Sequence, residues 1–99
     1  MLNITKNIHE TELTVVLTGR LDTTTAPELE KELKASLDGV SALTIDMAAL
    51  EYISSAGLRV LLSAQKTMNK QGEMKIVHVG ETIMEIFEVT GFSDILSIE

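Results

Sequence analysis

The sequence predicts an α/β domain whose sheet is mixed and mostly parallel, with about five strands and helices packed against it. Apolar residues alternate near the amino terminus, as they do in half-buried strands. Further along, short β-prone runs alternate with helical segments, so that each helix returns the chain for a parallel strand. A length of 99 residues leaves room for one stable core. We therefore treat residues 1–99 as a single domain.

The chain opens with a predicted β-hairpin. Its two strands have apolar residues at alternate positions, and the charged stretch His9–Glu12 between them predicts the turn. The alternating apolar positions are Leu2, Ile4, Ile8, Leu13, Val15 and Leu17.

A helix is predicted to start at Thr25, because Thr25 and Glu28 have the spacing of a capping box. Glu30 and Lys34 are one turn apart on its solvent side, and Gly39 supplies a stop. Its buried stripe consists of Ala26, Leu29, Leu33 and Leu37.

The rest of the chain alternates strands with helices. Gly80 and Gly91 mark the ends of the last helix. In order, we expect a strand at Leu43–Met47, a loop, a helix with Leu58, Leu61, Leu62, Gln65 and Met68 on one side, a strand at Met74–Val79, a helix at Glu81–Thr90 and a strand at Asp94–Ile98.

Composition excludes several classes of function. A formal charge of −7 repels the phosphate backbone of nucleic acids, and the chain has no cysteine for disulfides, thiolate metal sites or thiol catalysis. No apolar stretch approaches the ~18 residues of a membrane span, and the amino terminus lacks the apolar core of a secretion signal. We expect a cytoplasmic protein without nucleic-acid binding or membrane insertion.

Enzyme chemistry is not indicated either. Ser55 does not lie in a Gly-x-Ser-x-Gly elbow, and His9 and His78 lack the spacing of metal ligands. Phosphate-binding Gly-x-Gly-x-x-Gly and Walker loops are absent. We expect no catalytic residue, no metal and no other cofactor.

Asp22 and Asp46 each follow a β-prone run, and the carboxyl edge of an open α/β sheet is where ligands usually bind. The two acids could therefore orient a site together. Alternatively, Asp22 satisfies backbone N–H groups of its own turn and Asp46 ends its strand.

The segment Tyr52–Leu58 places small polar residues between a strand and an apolar helix. Ser54 or Ser55 can cap that helix, with Gly57 as a packing residue, and this explains the segment by itself. The free N–H groups and the positive end of the helix would also tolerate a seryl phosphate.

The order of these segments resembles the STAS domain, the fold of sulphate transporters and anti-sigma factor antagonists. The serine loop, with its glycine and leucine, is the most specific match, and the size resembles the free-standing bacterial antagonists. The matching segments are Gly19–Leu29, Leu43–Met47, Tyr52–Leu62, Gly72–Val79 and Val89–Glu99.

The resemblance implies a switch between partners. The unphosphorylated antagonist binds an anti-sigma factor that is also an ATP-dependent serine kinase, which frees the sigma factor; phosphorylation ends the binding and a serine phosphatase restores it. The family's phosphorylated serine falls on Ser55. Many members have an aspartate immediately before that serine, whereas this chain has Ser54 there, so Ser54 is the alternative phosphorylation site. The implied partner-binding residues are Asp22, Thr23, Ser54, Ser55, Ala56, Gly57 and Arg59.

Related STAS modules serve in lipid-transport complexes and as tails of anion transporters. A second hypothesis is therefore a subunit that docks on a transport ATPase and is never phosphorylated.

Overall fold

The computed structural model describes residues 2–99, which form one four-stranded sheet, three α-helices and a short 3-10 turn. The strand order is β1-β2-β3-β4; β1 is antiparallel to β2, and the other pairs are parallel. The elements are β1 (Leu2–His9), β2 (Glu12–Leu21), α1 (Ala26–Ser36), β3 (Ala42–Ile53), α2 (Ser55–Gln71), β4 (Glu73–Val77) and α3 (Glu81–Thr90). The predicted fold class, opening hairpin and mostly parallel pairing are confirmed.

The three helices pack on one face of the sheet. Alternate strand residues and the apolar sides of the helices form a single buried core, whereas Thr14, Val16 and Thr44 on the other face are only half-buried. Among residues 2–99, no helix is long and apolar enough to span a membrane. The fully buried strand residues of the core include Leu13, Val15, Leu17, Ile45, Met47 and Ile76.

The helical stripes are confirmed. All four predicted stripe residues of α1 are buried, and Lys34 Nζ lies 3.6 Å from Glu30 Oε1 on its outer side. On α2, four of the five predicted residues are buried and Leu62 is half-buried. These stripes determine which sides of the helices face solvent.

The predicted fifth strand at Asp94–Ile98 is wrong. Gly91 ends α3 with a φ of 81°, and Phe92–Asp94 then turns as a 3-10 helix. Only Ile98 reaches the sheet, as an isolated parallel bridge to Ile76. The N–H groups of Ile95 and Leu96 donate to the Phe92 carbonyl of this turn, at 3.0 and 2.9 Å, so they do not pair with β4 and the sheet has four strands.

Two strand boundaries and one helix cap also differ from prediction. β4 is Glu73–Val77 rather than Met74–Val79, and His78 after it has a φ of 58°. β3 extends beyond Leu43–Met47 to Ile53, because its pairing with β2 continues through two register shifts, and the predicted loop before α2 is therefore mostly strand. The capping box does not form at Thr25. The Thr25 hydroxyl instead donates to the Arg20 carbonyl at 2.9 Å and accepts from the Asp22 N–H at 2.8 Å.

Candidate functional site

The two serines have different positions at the start of α2. Ser54 is the N-cap in an extended conformation, and its Oγ accepts a hydrogen bond from the Gly57 N–H at 3.4 Å. Its side chain is half-buried, whereas Ser55, the first helical residue, is exposed. The first turn of α2 carries no acidic residue that would offset the positive end of the helix. Ser54 is thus the capping serine, and Ser55 presents its hydroxyl to solvent.

Gly57 sets the distance between α2 and the sheet. A Cβ atom at this position would lie 2.7 Å from Leu21 Cγ and 2.9 Å from Ile53 Cγ1, closer than real contacts allow. Both neighbouring side chains are buried, so the glycine lets the first turn of α2 rest on the ends of β2 and β3. The packing interpretation of Gly57 is confirmed.

Asp22 organises the turn between β2 and α1. Its Oδ1 accepts hydrogen bonds from the Thr24 hydroxyl at 2.7 Å, the Thr24 N–H at 3.0 Å and the Thr25 N–H at 3.2 Å. The pKa of Asp22 is lowered, mainly by the hydrogen bond from the Thr24 hydroxyl. Partial burial acts to raise this pKa, and the hydrogen bonds from the two N–H groups lower it further. Asp22 satisfies its own turn, as one of the two interpretations predicted.

The Asp22 turn and the serine loop lie side by side, because β2 and β3 are parallel and end together at the pair Leu21 and Ile53. The Ser54 N–H donates to the Leu21 carbonyl at 2.9 Å, which ties the two loops. We call the exposed and half-buried residues of this region the serine-loop surface: Asp22, Thr23, Ser54, Ser55, Ala56 and Arg59.

Arg20 and Tyr52 form a neighbouring pair that was not among the predicted site residues. The Arg20 guanidinium lies 4.5 Å from the centre of the Tyr52 ring, and Arg20 Nε is 3.9 Å from Asp22 Oδ2. The pairing of Arg20 with Tyr52 follows a register shift between β2 and β3, so no local pattern in the sequence could have predicted it. These contacts place a positive charge beside the Asp22 turn.

Asp46 does not belong to this surface. It lies inside β3 opposite Val16, where its Oδ1 accepts from the Ala48 N–H at 3.0 Å and lies 3.1 Å from His78 Nδ1. The pKa of Asp46 is lowered, mainly by the hydrogen bond from the Ala48 N–H. Burial acts to raise this pKa, and the contact with His78 lowers it further. The expectations that Asp46 ends its strand and shares an edge with Asp22 are wrong, because β3 continues past it.

Comparison with known proteins gives a consistent family. The model of the STAS domain matches residues 3–99. The anti-sigma-B factor antagonist of Bacillus subtilis is 29% identical over 98 residues, covering 98% of this chain and 90% of that protein. BtrV of Bordetella bronchiseptica, provisionally named an anti-sigma factor antagonist, is 38% identical over 88 residues, covering 87% of this chain and 76% of that protein.

Solved structures have the same fold. A crystal structure of an anti-sigma factor antagonist from Mycobacterium paratuberculosis has a TM-score of 0.89 at 26% identity, covering 99% of this chain and 85% of that chain. SpoIIAA, a cell fate determinant of Bacillus, in its phosphorylated form has a TM-score of 0.75 at 13% identity, covering 100% of this chain and 91% of that chain. At that identity the likeness to SpoIIAA concerns the fold alone.

Proposed function

The chain belongs to the STAS domain family, and we propose that it is an anti-sigma factor antagonist that is switched by phosphorylation of Ser55. The names of relatives that match almost the whole chain support the antagonist role. The observation that carries the switch is the exposed Ser55 side chain at the start of α2, beside the Asp22 turn. The role requires a binding surface and no catalytic residue in this chain.

The serine-loop surface suits a partner that docks closely. Ser55 and Ala56 have small side chains, so a partner can approach the first turn of α2. A phosphate on Ser55 would add about 1.5 to 2 negative charges, which the positive end of α2 tolerates in the free protein. A bound partner would have to desolvate or repel that charge, which costs several kcal/mol when it is buried without a counter-ion. Phosphorylation therefore ends binding while the fold persists.

Ser55 is a better acceptor than Ser54. The Ser54 Oγ is half-buried and accepts from the Gly57 N–H, so a phosphate there would disturb the cap of α2. Ser55 is exposed and makes no side-chain hydrogen bond among residues 2–99. A kinase could reach the Ser55 hydroxyl without unfolding the helix.

The proposed cycle uses two enzymes besides this chain. The anti-sigma factor is itself an ATP-dependent serine kinase that adds the phosphate, and a serine phosphatase removes it. Because the sigma factor acts on RNA polymerase, we place this function in the cytoplasm.

The assignment is tested by incubating the protein with ATP and the anti-sigma factor kinase from the same genome, followed by intact mass and site mapping. We expect one phosphate on Ser55. Ser55→Ala should accept none and still bind the kinase, and Ser55→Asp should not bind it. Ser63→Ala, at an exposed serine further along α2, is the matched control and should behave as wild type.

Two outcomes would contradict the proposal. Phosphorylation of Ser55→Ala on Ser54 at the wild-type rate would show that the acceptor is wrong. The absence of both phosphate and binding would favour the alternative, a subunit that docks on a transport ATPase without phosphorylation.

A further inference from the structure

The charge of α2 is opposite to that of the chain as a whole. The segment Ser55–Gln71 contains three basic residues and no acidic residue. The chain has a formal charge of −7, so the residues outside α2 carry −10, which is the total less the three positive charges of this helix. The basic residues of α2 are Arg59, Lys66 and Lys70.

These three side chains lie on one side of the helix, together with Ser55. They follow Ser55 by 4, 11 and 15 positions, and at 3.6 residues per turn all four fall within a sector of roughly 60°. Each is exposed, and the buried stripe of α2 faces the opposite way. At about 1.5 Å per residue, the row extends for about 22 Å from the serine loop. We call Arg59, Lys66 and Lys70 the cationic stripe.

No carboxylate of the described residues forms an ion pair with the cationic stripe. The four ion pairs found among residues 2–99 all lie outside α2. The groove between α1 and α2 is lined by the carboxylates of Glu30 on α1 and Asp38 just after α1, and Glu30 is already paired with Lys34. The helix dipole favours a cation in the last turn, which accounts for Lys70 alone. Helix stability therefore does not explain the row.

We propose that the cationic stripe is a docking surface for an acidic face of the anti-sigma factor, continuous with the serine-loop surface. The inference rests on the proposed function. A row of cations on an otherwise acidic protein both steers an acidic partner and orients it, because the remaining surface repels that partner. A nucleic acid is disfavoured, since the charge of −10 on the rest of the chain would repel its backbone.

The stripe also connects docking to the switch. Ser55 and Arg59 are four residues apart on one helix, the spacing at which side chains meet. A phosphate on Ser55 would attract the Arg59 guanidinium in a charge-assisted hydrogen bond. Phosphorylation thus takes the first cation of the stripe away from the partner and also adds negative charge at the serine loop.

The test compares affinities by titration calorimetry of the unphosphorylated protein with the anti-sigma factor kinase at about 50 and about 300 mM salt. The double variant Lys66→Glu with Lys70→Glu should bind about tenfold or more weakly at low salt, and the difference should shrink at high salt. Lys31→Glu with Lys75→Glu is the matched control. It changes the net charge equally at exposed lysines of α1 and β4, and should alter affinity less than about twofold.

A glutamate at position 70 opposes the helix dipole, so a milder variant is needed as well. Lys66→Gln with Lys70→Gln should show a smaller loss of affinity with an unchanged thermal midpoint. An equal loss in the control pair would show that net charge is responsible and would overturn the stripe. Unchanged affinity and salt dependence in the stripe variants would overturn it while the proposed function stands.

Two further outcomes are separate. If the wild-type protein does not bind the kinase at all, the proposed function fails and the stripe fails with it. Self-association of the wild type in sedimentation, lost in the Lys66→Glu and Lys70→Glu variant, would assign the stripe to a second copy of this chain. That result would overturn the partner named here, because the acidic face would then be supplied by this protein itself.

Discussion

Gly57→Ala tests how closely α2 rests on the sheet beneath the serine loop. The added methyl group would lie 2.7 Å from Leu21 Cγ, 2.9 Å from Ile53 Cγ1 and 3.0 Å from Leu21 Cδ2. Both side chains are almost fully buried, at 0% and 2% exposure, and have little room to move. The first turn of α2 must therefore shift outward, and the serine loop shifts with it.

Two effects of opposite sign determine how much Gly57→Ala changes the free energy of unfolding. Alanine is favoured over glycine in a helix by up to about 1 kcal/mol. Overpacking a core by a methyl group costs about 1 to 3 kcal/mol. The net destabilisation should be about 1 kcal/mol, or about 4 to 8 °C in Tm for a domain of this length. The free energy of binding to the anti-sigma factor kinase should weaken by more than the free energy of unfolding, because the shift displaces Ser54 and Ser55 from the Asp22 turn.

Thermal melts and calorimetric titration measure both effects in one preparation. Gly80→Ser is the control, since Gly80 begins α3 in an extended conformation with nothing within 4 Å of an added Cβ, and it should leave both unchanged. A Gly57→Ala variant that is more stable than wild type and binds normally would refute the close packing inferred here.

Three further changes test the core, the cap and the sheet. Leu61→Ala, at a fully buried position, should cost about 2 to 5 kcal/mol in urea unfolding, and Leu62→Ala, at a half-buried position of the same helix, should cost less; equal losses would contradict the helix register. Ser54→Ala should cost about 0.5 to 1 kcal/mol through the lost N-cap, whereas Ser55→Ala should be nearly neutral, and the reverse order would show the cap misassigned. The folded pKa of Asp46 is lowered from 3.8, so its carboxylate stabilises the fold above that pH and loses this effect as the pH falls through the folded pKa. Urea midpoints of Asp46→Asn should therefore fall less than those of wild type from about pH 5 to about pH 2, and parallel curves would contradict a stabilising role.

Local patterns in the sequence predicted the elements well where one face of each element decides its conformation. The stripe of α1 and the alternation in β2 reflect burial on one side, which spacing alone reveals. In β1 the alternation predicted a strand, but of its apolar residues only Leu2 is buried, and Ile8 is 67% exposed. Glycine also predicted the end of α3, because the φ of 81° at Gly91 is a conformation that other residues avoid.

The errors arose where pairing with distant segments or competing local hydrogen bonds decide the outcome. The length of β3 depends on pairing with β2 beyond two register shifts, and the last strand was lost to a turn after Gly91. At α1, the Asp22 carboxylate accepts from the Thr25 N–H, which the Glu28 side chain would accept in a capping box. The spacing of Thr25 and Glu28 could not reveal which acceptor would win.

The candidate site was predicted in part. The sequence pattern predicts Ser54 and Ser55 at the start of a helix, but it does not decide which of them is the N-cap, because either hydroxyl could accept from an N–H of the first turn. The structure separates them at the end of β3, where the Ser54 N–H donates to the Leu21 carbonyl and Ser55 is left exposed. The same contact brings the Asp22 turn beside the loop, a proximity that depends on parallel pairing and has no local signal.

The central claim is that a phosphate on Ser55 blocks partner binding without unfolding the domain. It is tested most directly on one fully phosphorylated sample, by titration with the anti-sigma factor and by a thermal melt, against the unphosphorylated protein. We predict that affinity falls by about a hundredfold or more, roughly 3 kcal/mol, while the thermal midpoint stays within about 2 °C or rises slightly. A midpoint lowered by many degrees would show that the switch works through disorder, and an unchanged affinity would show that Ser55 is not the switch.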